Sequence, residues 1–361
     1  MRKIYSLALG LIASVVFAQD GAPATPYYNG FNFNQSGMAL KNALSTKITT
    51  THINELSYSP GVWNALKVTD QDPDNPGFVL LLYGFSESVC PAGSSNDDDH
   101  RRRNANNNGG DPNCEWNREH VYPQSLGTPD LGQEGAGADA HHLRACDVDR
   151  NGQRGNKLYT TGSGNSGNSG SGWYPGDEWK GDVARILMYM YLRYPNQCVP
   201  TNAVMGNTVT SDPNMPAILL QWNAEDPVSE YEDNRNIYLN NANNAWGQGN
   251  RNPFIDNPYL ATLIWGGPVA QDRWGINATD SFFEAKLTVY PNPAANNEIN
   301  IYSETNLEEI QLINLNGQLI QQIQKPKAVN NTYQLQNLPD GFYILKMTSG
   351  GQSAAKKIIV N

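Results

Sequence analysis

The chain has 361 residues, a formal net charge of −10 and 39% hydrophobic residues. That length allows two domains, and residues 19–284 alone carry −13, which excludes holding a polyanion through one broadly basic face. Beyond the first eighteen residues no apolar run approaches the roughly 20 residues of a spanning helix, so no membrane-crossing segment is expected.

Arg2 and Lys3 precede an apolar run from Tyr5 to Phe17, and Val16-Phe17-Ala18 closes it with a small residue before Gln19. Residues 1–18 therefore read as a secretory signal peptide. Leu40, Leu44 and Ile48 follow helical spacing, and FVLLLYGF from Phe78 to Phe85 reads as an apolar strand. His52 reads as a surface or packing residue. Four cysteines stand at 90, 114, 146 and 198; an even count in an exported chain implies one or two disulfides. Cys90 paired with Cys114 would close the polar loop between them. Zinc is the alternative, but no Cys/His spacing supports it.

The chemistry concentrates in EWNREHVYPQS from Glu115 to Ser125 and DAHHLRACDVDRNGQRGN from Asp139 to Asn156. Glu119-His120 sits at the end of a short strand stopped by Pro123, setting a base beside a hard oxygen ligand. Asn151 and Arg154 lie three apart on a helix-like run and share a face. Phosphodiester hydrolysis needs a base that titrates near neutrality, which His120 supplies. It also needs a divalent cation to neutralise charge on the phosphate, and Glu119 with Asn151 offers the oxygens Mg2+ prefers, with Ca2+ or Mn2+ as alternatives. Arg154 or Arg144 is the candidate for clamping the phosphate. A competing motif runs from Asp147 to Gly152, the first half of a calcium loop, but its twelfth position is Leu158 where a bidentate glutamate belongs.

The tract from Thr160 to Gly172 is almost entirely Gly, Ser, Asn and Thr and reads as a flexible surface insertion. From Trp179 to Tyr194 apolar residues at i, i+3, i+4, i+7 and i+8 predict a helix with one apolar stripe, along which Asp182 and Arg185 can pair. With so acidic a domain, nucleic-acid contact falls to local clusters such as Arg101-Arg102-Arg103. Arg235 and Arg251 are either backbone contacts or partners of nearby carboxylates.

These blocks resemble the endonuclease I family, secreted or periplasmic nucleases of the ββα-metal (His-Me finger) class. EWNREHVYPQS, HHLRACDVDRNGQRGNK, GDVARILMYMYLRYP and QGNRNPFIDNP occur in the family's order, so the resemblance covers about Tyr27 to Trp274. It implies an α+β ββα-metal nuclease domain with a helical surround, His120 as general base, and Glu119 and Asn151 as metal ligands. No motif assigns the family's phosphate-stabilising arginine here.

Beyond residues 277–285, read as a linker, the composition changes. EINIYS, EIQLINLNGQLIQQI and GFYILKM alternate as short strands, and Asn316-Gly317 and Leu338-Pro-Asp-Gly341 mark turns. Residues 286–361 read as a small all-β sandwich. Its opening VYPNPA and closing KKIIVN resemble the type A C-terminal sorting domain of the type IX secretion system.

The expected organisation is thus a signal peptide over 1–18, a catalytic domain over 19–276 and a sorting domain over 286–361. The expected function is a secreted, monomeric, metal-dependent endonuclease acting on DNA, with RNA as a second substrate and the type IX machinery as partner. The alternative is an adhesion protein on an inactive nuclease scaffold, against which the intact Glu119, His120 and Asn151 argue.

Overall fold

A computed structural model describes residues 23–89, 98–276, 287–314, 317–349 and 352–360. The signal peptide, the linker 277–285, Cys90 and Asn316 lie outside the described residues. Thr25–Asp272 forms one compact unit, and the residues from Arg273 onward belong to another.

In the first unit, helix α1 (Gly37–Thr51) buries Leu40, Leu44 and Ile48 as their spacing requires, and α2 (Trp63–Thr69) follows. The apolar run at 78–85 is a strand only over β1 (Phe78–Leu80). Tyr83 then takes φ 76 and turns the chain. Gly84 allows that turn to lie flat on a neighbouring segment, since a Cβ there would stand 2.2 Å from the carbonyl oxygen of His100. Strands β2 (Ser86–Val89) and β3 (His100–Asn104) complete a three-stranded sheet in which β3 is central.

Next comes a ββα unit. Strand β4 (Trp116–His120) pairs antiparallel with β5 (Leu143–Asp147), setting Glu119 opposite Arg144 and His120 opposite Leu143. Helix α3 (Val148–Arg154) starts at once, capped by Asp147, whose Oδ1 accepts from the Arg150 backbone N–H at 2.8 Å. With Asp147 spent as a cap and paired with Arg103, residues 148–154 are helical and do not wrap an ion. Trp116, Leu143 and Ala145 pack with Val62, Leu66, Val79 and Leu81, so the strand pair rests on its own apolar core.

The Gly/Ser tract is not structureless. Strands β6 (Gly167–Ser169) and β7 (Gly172–Tyr174) form a hairpin turned at Gly170, φ 56. Trp173 is fully buried and the Ser166 hydroxyl donates to the Tyr83 carbonyl at 2.6 Å, which ties the tract down at its middle and just past its end.

Helix α4 (Lys180–Arg193) is buried continuously from Gly181 to Leu192, not along one stripe. It packs against α1 and α5 (Ala217–Glu225), the latter entered through the hairpin of β8 (Thr208–Val209) and β9 (Asp212–Pro216). Its buried charges are paired: Asp182 with Arg144 at 2.9 Å and Arg185 with Glu232 at 2.6 Å, besides the anticipated Asp182–Arg185 pair at 3.6 Å. Glu232 also completes the capping box of α6 (Glu230–Asn240). Two short helices, α7 (Pro253–Asp256) and α8 (Tyr259–Trp265), close the unit.

The C-terminal unit is all-β as expected, its seven strands forming one curled sheet whose two halves share the first strand. It comprises β10 (Leu287–Ala295), β11 (Glu298–Ser303), β12 (Glu309–Asn314), β13 (Leu319–Gln324), β14 (Thr332–Leu335), β15 (Gly341–Ser349) and β16 (Gln352–Val360). Strand β10 serves both halves: it pairs antiparallel with β11, then parallel with β16 at Ala294. The sheet thereby curls around Ile299, Ile301, Leu312, Leu345 and Ile358. The turn between β12 and β13 closes through the Gln318 carbonyl, which accepts from Asn314 N at 3.0 Å, with Gly317 at φ 78. Among the described residues no helix is long and apolar enough to cross a membrane.

Candidate active site

The end of β4 and the C-terminal half of α3 form opposite walls of an open cleft of about 540 Å³. Glu119, His120, Asn151 and Arg154 all line it, together with Arg118 and Asn156. The strand carries the first two by direct adjacency, and the helix carries the other two on one turn.

His120 is held by a carbonyl. Its Nε2 lies 3.1 Å from the oxygen of Gly137, in the 3-10 turn Gly135–Ala138. A carbonyl only accepts, so Nε2 carries the proton and Nδ1 is left as the basic nitrogen. Tyr58 stacks on the ring at 5.6 Å and His142 packs beside it at 5.4 Å. Burial, and next the neighbouring His142, pulls the His120 pKa down to about 3, so the imidazole is neutral at pH 7.

The loop that carries Gly137 is itself pinned. His142 sets Nδ1 3.1 Å from the Ala136 carbonyl and Nε2 3.1 Å from the Tyr122 carbonyl, bridging the turn to the chain just past His120. Asp139, fully buried, accepts from Tyr189 at 2.8 Å and from Gln248 at 3.0 Å. Gln248 also accepts from the Ala140 N–H at 2.6 Å. His52 contributes here as a packing residue, 3.7 Å from Asp139. The sequence motifs contain these residues, but nothing in their spacing reveals that they brace a carbonyl under the base.

Glu119 is 2% exposed. Its Oε1 accepts from the Tyr83 hydroxyl at 2.8 Å and faces Arg154 at 3.4 Å. Burial raises its pKa against the opposing pull of Arg154, so a second cation beside it would be stabilising. Asn151 turns its amide nitrogen to Asn117 Oδ1 at 2.7 Å, which leaves the amide oxygen as the end suited to a cation. A carboxylate and an amide oxygen, one from each wall of the cleft, are hard donors that fit Mg2+ or Ca2+. Among the described residues no cluster of three or more His, Cys, Asp or Glu side chains forms a metal cage.

The arginines divide. Arg154 lines the cleft but is 1% exposed, and its guanidinium donates to the carbonyls of His120 at 3.2 Å, Val121 at 2.9 Å and Gly155 at 3.1 Å. It braces the strand end and Glu119. Arg144 is not at the cleft: fully buried, it points to Asp182 and Asp70 and stacks over Tyr231. The expectation that it clamps phosphate is corrected, because although it pairs across the strands with Glu119, its long side chain runs into the buried network of Asp70, Asp182 and Tyr231. The Arg101–Arg103 cluster is also committed, to Glu87 and Glu178, to Asp72 and to Asp147. Arg235 pairs with Asp70, and Arg251 with Asp256. Cys146 and Cys198 are buried free thiols, so a second disulfide between them is not made; the Cys90 pairing falls on a residue outside the described set.

A histidine beside a buried carboxylate on a ββα unit open to solvent is the arrangement expected of a nuclease of the ββα-metal class. The chain is a member of the endonuclease I family, whose model matches residues 36–259. It is 39% identical over 261 residues to the extracellular ribonuclease of Bacillus subtilis, covering 68% of this chain and 82% of that protein. The extracellular ribonuclease of Bacillus amyloliquefaciens is 41% identical over 244 residues, 64% of this chain and 75% of that protein. Residues 288–361 match the secretion system C-terminal sorting domain, which directs the protein by type IX secretion to the cell surface or beyond.

Proposed function

We propose that the protein is a metal-dependent endonuclease that hydrolyses phosphodiesters of DNA and RNA with little sequence preference, His120 acting as general base toward water. The observation that carries this reading is the Gly137 carbonyl under His120 Nε2, which leaves a neutral Nδ1 free to take a proton. Glu119 and Asn151 are the residues that would hold the cation, Mg2+ or alternatively Ca2+ or Mn2+. The chemistry such an ion supplies when bound is neutralisation of charge on the phosphate and leaving oxygen. Arg154 keeps Glu119 in place and the strand end rigid. Because water is the nucleophile, no 2′-hydroxyl is needed, which accommodates DNA and is compatible with relatives named ribonucleases.

The test uses matched DNA and RNA strands, with and without chelator, analysed for product ends. Expected are cleavage of both, loss with chelator, and linear phosphate ends without 2′,3′-cyclic phosphate. His120→Ala should lower kcat by about 10²- to 10⁴-fold at unchanged melting temperature. Glu119→Ala and Asn151→Ala should raise the metal concentration for half-maximal rate. Cyclic products, or full activity in His120→Ala, would refute the mechanism.

A further inference from the structure

The arginine that meets the phosphate is still to be found, since Arg144 lies elsewhere and Arg154 is spent. Among the described arginines, Arg118 and Arg154 are the two that line the cleft. Arg154 faces Glu119 at 3.4 Å, whereas Arg118 has no carboxylate partner among the described residues. Arg101, Arg102, Arg103, Arg144, Arg185, Arg235 and Arg251 are each paired with Asp or Glu, while Arg150 and Arg193, which contact Gln153 and His52 instead, do not line the cleft.

Arg118 is also fixed in place. Its guanidinium carbon lies 3.5 Å from the centre of the Tyr58 ring and 4.2 Å from that of Trp63. Nη1 donates to the Ser59 hydroxyl at 2.9 Å and to the Tyr58 carbonyl. Nε is buried with no hydrogen-bond partner. Two residues before His120 on β4, Arg118 projects to the same side of the strand, and Tyr58 stacks on both side chains.

We infer that Arg118, held flat between Tyr58 and Trp63, binds a backbone phosphate of the nucleic acid beside His120, and so fills the role its sequence motif leaves unassigned. A planar group fixed by stacking suits this task, because Nη1 is tied to Ser59 and Tyr58 and Nη2 is left to donate to a phosphate oxygen with little ordering left to do. Ion pairing takes up the remaining arginine clusters named above, so one such contact is a large share of the attraction this acidic protein has for its substrate.

The inference rests on the proposed nuclease reading, and the experiment separates the two. Binding of a fluorescent oligonucleotide to His120→Ala protein is measured by anisotropy across a salt series, then in the double variants with Arg118→Gln and Arg118→Lys. Arg118→Gln keeps a planar stacking group but removes the charge. It should weaken binding about tenfold or more and flatten the plot of log affinity against log salt by about 0.7 to 0.9. Arg118→Lys should retain the slope while losing part of the affinity, since the charge stays but the fork does not. Unchanged affinity and slope in Arg118→Gln, with only a lower melting temperature, would make Arg118 a packing residue and overturn the inference. If His120→Ala protein binds no oligonucleotide although wild type cleaves it, the same salt series is read on the wild-type KM. If wild type neither binds nor cleaves, the nuclease reading itself fails and this inference falls with it.

Discussion

At the scale of the residue, what separates functional from structural arginines is the nearest carboxylate. Arg144 sits on β5 directly opposite Glu119, close enough in sequence register to look catalytic, yet its guanidinium closes a buried network with Asp182 and Asp70. Removing one partner of a buried pair leaves an uncompensated charge, which costs about 3–5 kcal/mol. Arg144→Ala should therefore lower stability by that amount in urea denaturation. KM of the folded fraction should stay at the wild-type value. A rise in KM with unchanged stability would return Arg144 to the cleft.

At the scale of the element, His120, the proposed base, depends on a turn that carries no reactive group. The 3-10 turn Gly135–Ala138 presents the Gly137 carbonyl to His120, and it lies so close to the preceding segment that a Cβ on Gly137 would stand 2.2 Å from the Gly132 carbonyl oxygen. Gly137→Ala must push one of these backbone segments aside, and the carbonyl moves with it. The expected result is a fall in kcat of about tenfold or more with little change in KM, because misplacing a catalytic group by an ångström costs on that order. Steady-state kinetics on the variant checks this, and an unchanged kcat would show that His120 needs no such support. The motif around Gln248 acquires a purpose in the same way: it clamps residues 139–140 from more than a hundred positions away.

At the scale of the whole molecule, the buried histidines make stability depend on pH. Burial pulls His141 and His142 down to about 4 from 6.5, partly opposed by Asp139 for the first and by the Tyr122 carbonyl for the second. The unfolded chain therefore takes up protons near pH 6.5 while the fold resists until about 4. Stability is complete above pH 6.5 and is lost as pH falls toward 4, on the order of 3 kcal/mol for each histidine. Asp139 extends the loss: burial pushes its carboxyl up, but His52, His141, Gln248 and Tyr189 together hold it down to about 2. Asp226, raised by burial to about 6, works in the opposite direction as a single group. Calorimetry from pH 8 to pH 4 at constant ionic strength should show the melting temperature of the nuclease unit falling below pH 6.5. A flat profile would mean the histidines are already charged in the fold.

Much of this was legible in the order of residues. Glu119 beside His120 is plain adjacency, while Asn151 one helical turn from Arg154, the helix at 180–193 and the change to alternating strands past residue 286 rest on spacings of two to four residues, which local backbone geometry converts directly into shared faces. Four blocks in family order identified the class for the same reason. Only the tertiary structure decided where the long side chains went. An arginine reaches whichever acceptor folding brings near: Arg144 finds Asp182, 38 positions on, Arg235 finds Asp70, and Arg118 finds two aromatic rings and no carboxylate among the described residues. The carbonyl that sets the His120 tautomer was hidden too, because every residue has one, and which of them faces an imidazole is determined by packing across the chain rather than by side-chain identity.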